Sequence, residues 1–193
     1  MRNTNNLFGS IFAWIVVISL SVASASAQQS ATAADAAALK QFDVAIAKYM
    51  AMRHKLRDEV RGPVKNSSST QITDASDALA GAIQRSRHDA LVGTIFSKPV
   101  AALIKQRIAH AVRTEKLASV LADIDDEGGA GPAPKVHLRL PVTAQMATMP
   151  PSLLKVLPSL PKELEYRILG RYLVLRDVDA SLILDYIPLA VPR

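Results

Sequence analysis

The chain contains no cysteine. In an exported protein that absence rules out a disulfide framework, a thiol nucleophile and cysteine metal sites together, so stability has to come from packing. Aromatic residues are scarce as well, at 5% of 193 residues, and residues 28–127 hold only Phe42, Tyr49 and Phe96. A nucleic-acid surface needs clustered Arg and Lys with rings on which bases can stack, so no nucleic-acid partner is expected. There is no glycine-rich phosphate fingerprint and no Gly-x-Ser-x-Gly elbow. Nor does any apolar run approach the roughly 20 residues that cross a bilayer as a helix.

What is present begins with "MRNTNNLFGSIFAWIVVISLSVASASA". It has one positive charge, Arg2, then an apolar run of 12 residues from Ile11 to Val22, then Ala25-Ser26-Ala27. Small side chains one and three positions before the cut suit signal peptidase. Residues 1–27 are therefore expected to be a signal peptide, cleaved before Gln28. The competing reading, an uncleaved anchor, is weakened by the shortness of the run and by Ser19, Ser21 and Ser24. Removing Arg2 takes the net charge from +6 to +5. Residues 28–127 hold 14 Lys/Arg against 12 Asp/Glu, and residues 128–193 hold 8 against 5. Neither half is a basic tail, and mixed charge of this kind solvates a surface.

Apolar residues Leu39, Phe42, Ile46, Tyr49, Leu56 and Val60 follow steps of 3, 4, 3, 7 and 4. This is one stripe of a helix over 33–61, ended by Gly62-Pro63. Arg53 interrupts the stripe, either as a side chain snorkelling at the edge of a seam or as the partner of an acid on a neighbouring helix; snorkelling is the commoner case. After the polar connector "KNSSST", a second helix starts near Thr70 to Asp74 and runs to about Leu91, with Ile72, Leu79 and Ile83 on one face. Gly93 interrupts it. A third begins with Ser97 as cap and Pro99 in the first turn. Its buried face is Val100, Leu103, Ile104, Ile108 and Val112, with a phase-shifted stripe at Leu117, Leu121 and Ile124.

"DEGGAGPAP", residues 126–134, defeats both helix and strand and reads as a linker. The chain thus divides into a signal peptide (1–27), a helical region (28–125), this linker and a small sheet region (135–193). In the last, "KVHLRLPV" is a candidate edge strand and "MPPSLLKVLPSLP" a single helical turn between prolines. "LEYRILGRYLVLRDVDASLILDYI" alternates, turns at Gly170-Arg171 and alternates again. Its register sets Ile168 against Leu173, Tyr166 against Leu175 and Glu165 against Arg176. A four-residue second loop sets Asp177 against Leu182. One face of the resulting three-stranded antiparallel meander holds Leu164, Tyr166, Ile168, Leu173, Leu175, Leu182, Leu184 and Tyr186. The other is mixed and carries Glu165, Arg167, Arg176 and Asp185, a possible interaction surface. So small a sheet needs cover for its apolar face. The fold class expected is α+β: a helical hairpin or three-helix part followed by a small meander.

"ATMPPSLLKVLPSLPKELEYRILGRYLVLRDVDASLILDYIP" resembles the C-terminal signature of a group of uncharacterised secreted proteins of Gram-negative bacteria. Their form is a proline-spaced LLxxLPxLPxxLEYR followed by GRxLVLxDxxAxLIxD. "TIFSKPVAALIKQRI" is similar to a second patch of that group, which has an aspartate at the place of Thr94 and an acid at that of Val100. The resemblance spans Gly93 to Pro192. It implies export and brings no activity, cofactor or catalytic residue. The hairpin alone is also similar to periplasmic accessory proteins of nickel and cobalt efflux, an analogy of architecture.

Candidate chemistry is thin. Asp123, Asp125, Asp126 and Glu127 before Gly128 open like a calcium loop, yet the twelfth position is Pro134, which cannot ligate. The plain alternative is a solvated helix end. His54, His88, His110 and His137 lie on four segments without ligand spacing, and such imidazoles are ordinarily exposed or singly hydrogen-bonded. A glycosidase needs paired carboxylates in a cleft; Glu163 and Glu165 are neighbours on or beside a strand, and Glu165 faces Arg176. The expectation is an exported, non-enzymatic protein, periplasmic or secreted, without cofactor. It would act by binding a protein or envelope component, with no membrane span after cleavage. The alternative is a periplasmic accessory protein responsive to nickel, cobalt or zinc.

Overall fold

A computed structural model describes residues 19–60, 68–115, 117, 133–140 and 149–192, with side chains from residue 32 onward. Helix α1 (Ser19–Glu59) leads into α2 (Ser69–Ser86) and α3 (Lys98–Thr114). A single turn α4 (Pro151–Leu154) then precedes strands β1 (Leu164–Leu169), β2 (Tyr172–Asp177) and β3 (Leu182–Ile187). The strands pair antiparallel in the order β1-β2-β3, so the chain is α+β, three long helices and then an open meander. Among the described residues no helix is long and apolar enough to cross a membrane. The residues flanking the expected cut, Ala27 and Gln28, lie within α1. The apolar run before Ser19, Gly62-Pro63, Leu121, Ile124, the acidic run at 123–127 and linker residues 126–132 fall outside the described residues.

The helices form where periodicity and capping agree. On α1, Phe42, Ile46 and Tyr49 are buried, with Leu39, Leu56 and Val60 packed at the margin. α2 starts in the polar connector: Ser68 Oγ accepts from Gln71 N–H, and Gln71 Oε1 accepts from Ser68 N–H, a reciprocal capping box. It stops at Ser86, short of Leu91. Leu79 and Ile83 are buried as expected, but Ile72 is 53% exposed. All five apolar residues expected on α3 are buried. Ser97 precedes α3, yet its hydroxyl does not cap and instead donates to Gln41 Oε1 at 3.2 Å.

The first hairpin has the expected register, including Glu165 opposite Arg176. Gly170 sits at φ +54°, a conformation open to glycine at little cost. Asp177 opposes Leu182, so the second loop has four residues. One feature departs from simple alternation. Arg176 pairs with Ile183 while Leu175 pairs with Asp185, leaving Leu184 as the extra residue of a bulge. One inserted residue reverses the parity of everything after it. Leu182 and Leu184 therefore face the helices as expected, but Tyr186 does not, and Ile187 takes its place in the core. Tyr186 instead meets Tyr172 edge-on, with ring centroids 5.8 Å apart, on the outer face.

The inner face of the sheet and the three helices share one core, in which Phe42 of α1 stacks on Phe96 and Phe96 on Tyr166 of β1. On the outer face Val174 and Ile183 pack with Leu140. "KVHLRLPV" meets β3 through one bridge, Arg139 to Leu182, rather than as a strand. His137 breaks its extended run at φ +68°, and its last two residues, Pro141 and Val142, lie outside the described ones.

Candidate functional site

The expected mixed face survives only in part. Glu165 forms ion pairs with Arg167, at 2.7 Å, and with Arg176. Arg176 is buried and also donates to Ser181 Oγ at 2.9 Å. Burial raises the pKa of Glu165, but the two guanidiniums outweigh it and hold the carboxyl below the ordinary glutamate value. Asp185 is not on this face. The bulge turns it under the sheet, where it is fully buried. Its Oδ1 accepts from Gly93 N–H at 2.9 Å, and its Oδ2 from the N–H groups of Ile95 and Phe96 at 2.7 and 2.8 Å. Its role is to tie the α2–α3 connector to β3, and it offers nothing to a partner.

A second ionic group lies beneath the β2–β3 end of the sheet. Arg53 is 2% exposed, which excludes snorkelling, and its acids come from the sheet rather than from another helix. Arg53 Nε donates to Asp177 Oδ2 and its Nη2 to Asp179 Oδ2, each at 2.6 Å. Tyr49, one helical turn earlier, donates its hydroxyl to the same Asp177 oxygen at 2.7 Å. Asp177 Oδ1 accepts from Ala180 N–H at 2.9 Å and so shapes the β2–β3 loop. Burial works against the Arg53 charge, but Asp177 and Asp179 outweigh it and hold its pKa above the ordinary arginine value. Burial, reinforced by Asp177, likewise drives the Tyr49 hydroxyl far up, so it stays a donor. Arg87 of the α2 C-terminus lies over the Tyr49 ring at 5.4 Å and donates to Leu184 O at 3.3 Å.

Beside this latch opens a cleft of about 550 Å³, lined by Arg57, Ile72, Ser76, Arg139, Val178 and Asp179 among others. Its apolar walls are uncovered: Ile72 is 53% and Val178 38% exposed. Ser76 Oγ donates to Asp179 O at 2.6 Å, fixing the loop against α2. Arg139 pairs with Asp77 across the mouth. Arg57 reaches Asp179 only at 3.9 Å, where Arg53 already holds the same oxygen, and it makes no hydrogen bond within the described residues. Its donors are therefore open to a ligand.

The sequence reading missed the Tyr49–Arg53–Asp177–Asp179 group and the cleft. A signal was there: Asp177 shares the parity of inward-facing Leu173 and Leu175, and Arg53 sits one turn from Tyr49 on the buried stripe. For metals, no group of three His, Asp or Glu suited to holding an ion occurs among the described residues. His54 on α1, His88 just after α2 and His110 on α3 are exposed, and His137 is half-buried. Set against known proteins, the chain matches no protein family, no curated protein and no solved structure.

Proposed function

We propose that this chain is an exported protein of the bacterial envelope, periplasmic or secreted, that acts by binding a protein or envelope component rather than by catalysis. The cleft beside Asp179 is its binding site. The observation that carries this reading is the pairing, in one cleft, of uncovered Ile72 and Val178 with the unengaged donors of Arg57. Apolar walls with a few oriented polar groups are what a ligand site requires. The expected ligand group is apolar beside an acid, because Arg57 stands 3.9 Å from Asp179 without a hydrogen bond and its guanidinium can take a carboxylate.

Catalysis has little to work with there. The hydroxyls of Ser76 and Ser181 are engaged, one with a backbone carbonyl and the other with Arg176, and no histidine lines the cleft to act as base. Export is supported by the short apolar run ending in Ala25-Ser26-Ala27 and by the resemblance of residues 93–192 to secreted Gram-negative proteins.

The test is capture from envelope extract on immobilised wild-type chain, Ile72→Glu and Arg57→Ala. Ile72 is exposed and Arg57 makes only a long surface ion pair, so each substitution changes stability by about 1 kcal/mol or less. A companion retained by the wild type and lost on both variants is expected; equal recovery on all three sinks the assignment. Export is checked separately by N-terminal sequencing of the periplasmic fraction, where the chain should begin at Gln28.

A further inference from the structure

Among the described residues, β1 has a sheet neighbour on one side only. The two-residue turn makes Leu169 and Tyr172 a hydrogen-bonded pair, so Arg167 and Glu165 also direct their backbone groups at β2. The bond from Val178 N–H to Glu163 O, at 2.9 Å, continues that ladder and confirms its parity. The N–H and C=O groups of Tyr166 and Ile168 therefore point out of the sheet, and no described backbone group pairs with them. An open groove of about 340 Å³ runs along this edge, lined by Leu154, Pro158, Leu160, Leu164, Glu165 and Arg167 among others. Leu154 is 47% exposed.

We propose that this edge pairs with the same edge of a second copy, antiparallel about a two-fold axis at Tyr166, to give a continuous six-stranded sheet. Parity requires an outward-pointing residue to oppose another outward-pointing one, which leaves three registers with good overlap. One sets Glu165 against Glu165 of the second copy. Another sets Arg167 against Arg167. Like charges directly opposite are destabilising, which disfavours both. The third sets Tyr166 against Tyr166 and Glu165 against Arg167 twice over; at its ends Leu164 opposes Ile168, where Leu164 N–H stays with Pro161 O at 3.0 Å and only the Leu164 carbonyl joins the ladder. Charge thus selects one register, and in it the apolar inner face runs on unbroken. An isologous interface of this kind closes as a dimer and caps the strand edge that would otherwise remain open.

The absence of native cysteine allows a register-specific test. In the proposed pairing, residues 165 and 167 of opposite chains form a non-hydrogen-bonded pair with Cα atoms about 4.5 Å apart, within disulfide reach. Glu165→Cys and Arg167→Cys are made as separate proteins. Under mild oxidation the mixture should give a disulfide-linked dimer on non-reducing gels, and neither variant alone should do so. Self-linking of either variant at equal yield overturns the register. Sedimentation of the unmodified chain needs no variant to fold: a dimer that dissociates on dilution is expected. A monomer at every concentration overturns the proposal.

Discussion

Taking away the Arg53 guanidinium while leaving Asp177 in place strands a carboxylate that has no water to turn to, since Asp177 is fully buried. Breaking a buried pair from one side costs about 3–5 kcal/mol, because the remaining charge keeps its desolvation penalty and loses its compensation. Arg53→Ala should therefore lower the unfolding free energy read from urea titration by an amount in that range. Arg57→Ala, whose side chain is 27% exposed and 3.9 Å from Asp179, should change stability by less than about 1 kcal/mol. Similar losses for the two would mean that Asp177 is solvated. Two further residues make stability fall on the acid side. Burial and the Arg87 charge hold His137 below its ordinary value of 6.5, so the unfolded chain takes up a proton first as pH drops through that value. Glu165, held below the ordinary 4.5, contributes stability above that pH, and this is lost as pH falls through its folded pKa. Denaturation midpoints measured across this range should lose their upper step in His137→Asn and their lower step in Glu165→Gln. Profiles identical to the wild type in both variants would show that neither group is linked to folding. The Glu165–Arg176 pair was legible from hairpin register alone. Arg53 was not assigned, because a charge on an apolar stripe has the same pattern whether it reaches water or a buried acid.

Between elements, Asp185 does the work that a helix cap does at a helix end. It collects three backbone N–H groups from the connector between α2 and α3, a stretch that includes Gly93 at φ +87°. Replacing it with alanine strands the buried Ile95 and Phe96 donors, each worth about 1–3 kcal/mol unsatisfied, whereas the Gly93 donor is only part-buried. Asp185→Ala should lower stability by at least about 2 kcal/mol and abolish amide-exchange protection at Ile95 and Phe96, with α1 much less affected. Protection that persists at those two amides would show that water or another acceptor replaces the carboxylate. Periodicity was enough to place the helices, and alternation was enough to pair β1 with β2. It failed at Asp185 because a bulge is a matter of count: one extra residue on β3 inverts the face of all that follows, and neither composition nor alternation in β3 marks where the extra residue sits. The same limit explains Ile72. Its spacing from Leu79 puts it on the buried face of α2, but that face extends beyond its cover and ends in the cleft.

For the molecule as a whole, the Gly/Pro stretch at 126–134 suggests two regions, whereas packing gives one body. Phe42 of α1, Ile104 and Ile108 of α3, Leu153 of α4 and Tyr166, Leu175 and Leu184 of the sheet belong to a single buried cluster. Arg53 and Asp185 add polar fastenings across the same boundary, from α1 to β2 and from β3 to the segment before α3. The inner face of this sheet has its cover in α1 and α3, and without them Tyr166, Leu175 and Leu184 would face water. Residues 133–193 expressed alone should therefore lack near-UV circular dichroism and a cooperative thermal transition. Adding the helical fragment 28–132 should restore both at stoichiometric ratio, because α1 and α3 supply the cover for the sheet. The intact chain should unfold in one transition, coincident by near-UV and far-UV signals. If the sheet fragment melts cooperatively by itself, its inner face has found cover within residues 133–193. The helices would then be a separable layer, and the buried Arg53–Asp177 pair an interface between two stable units.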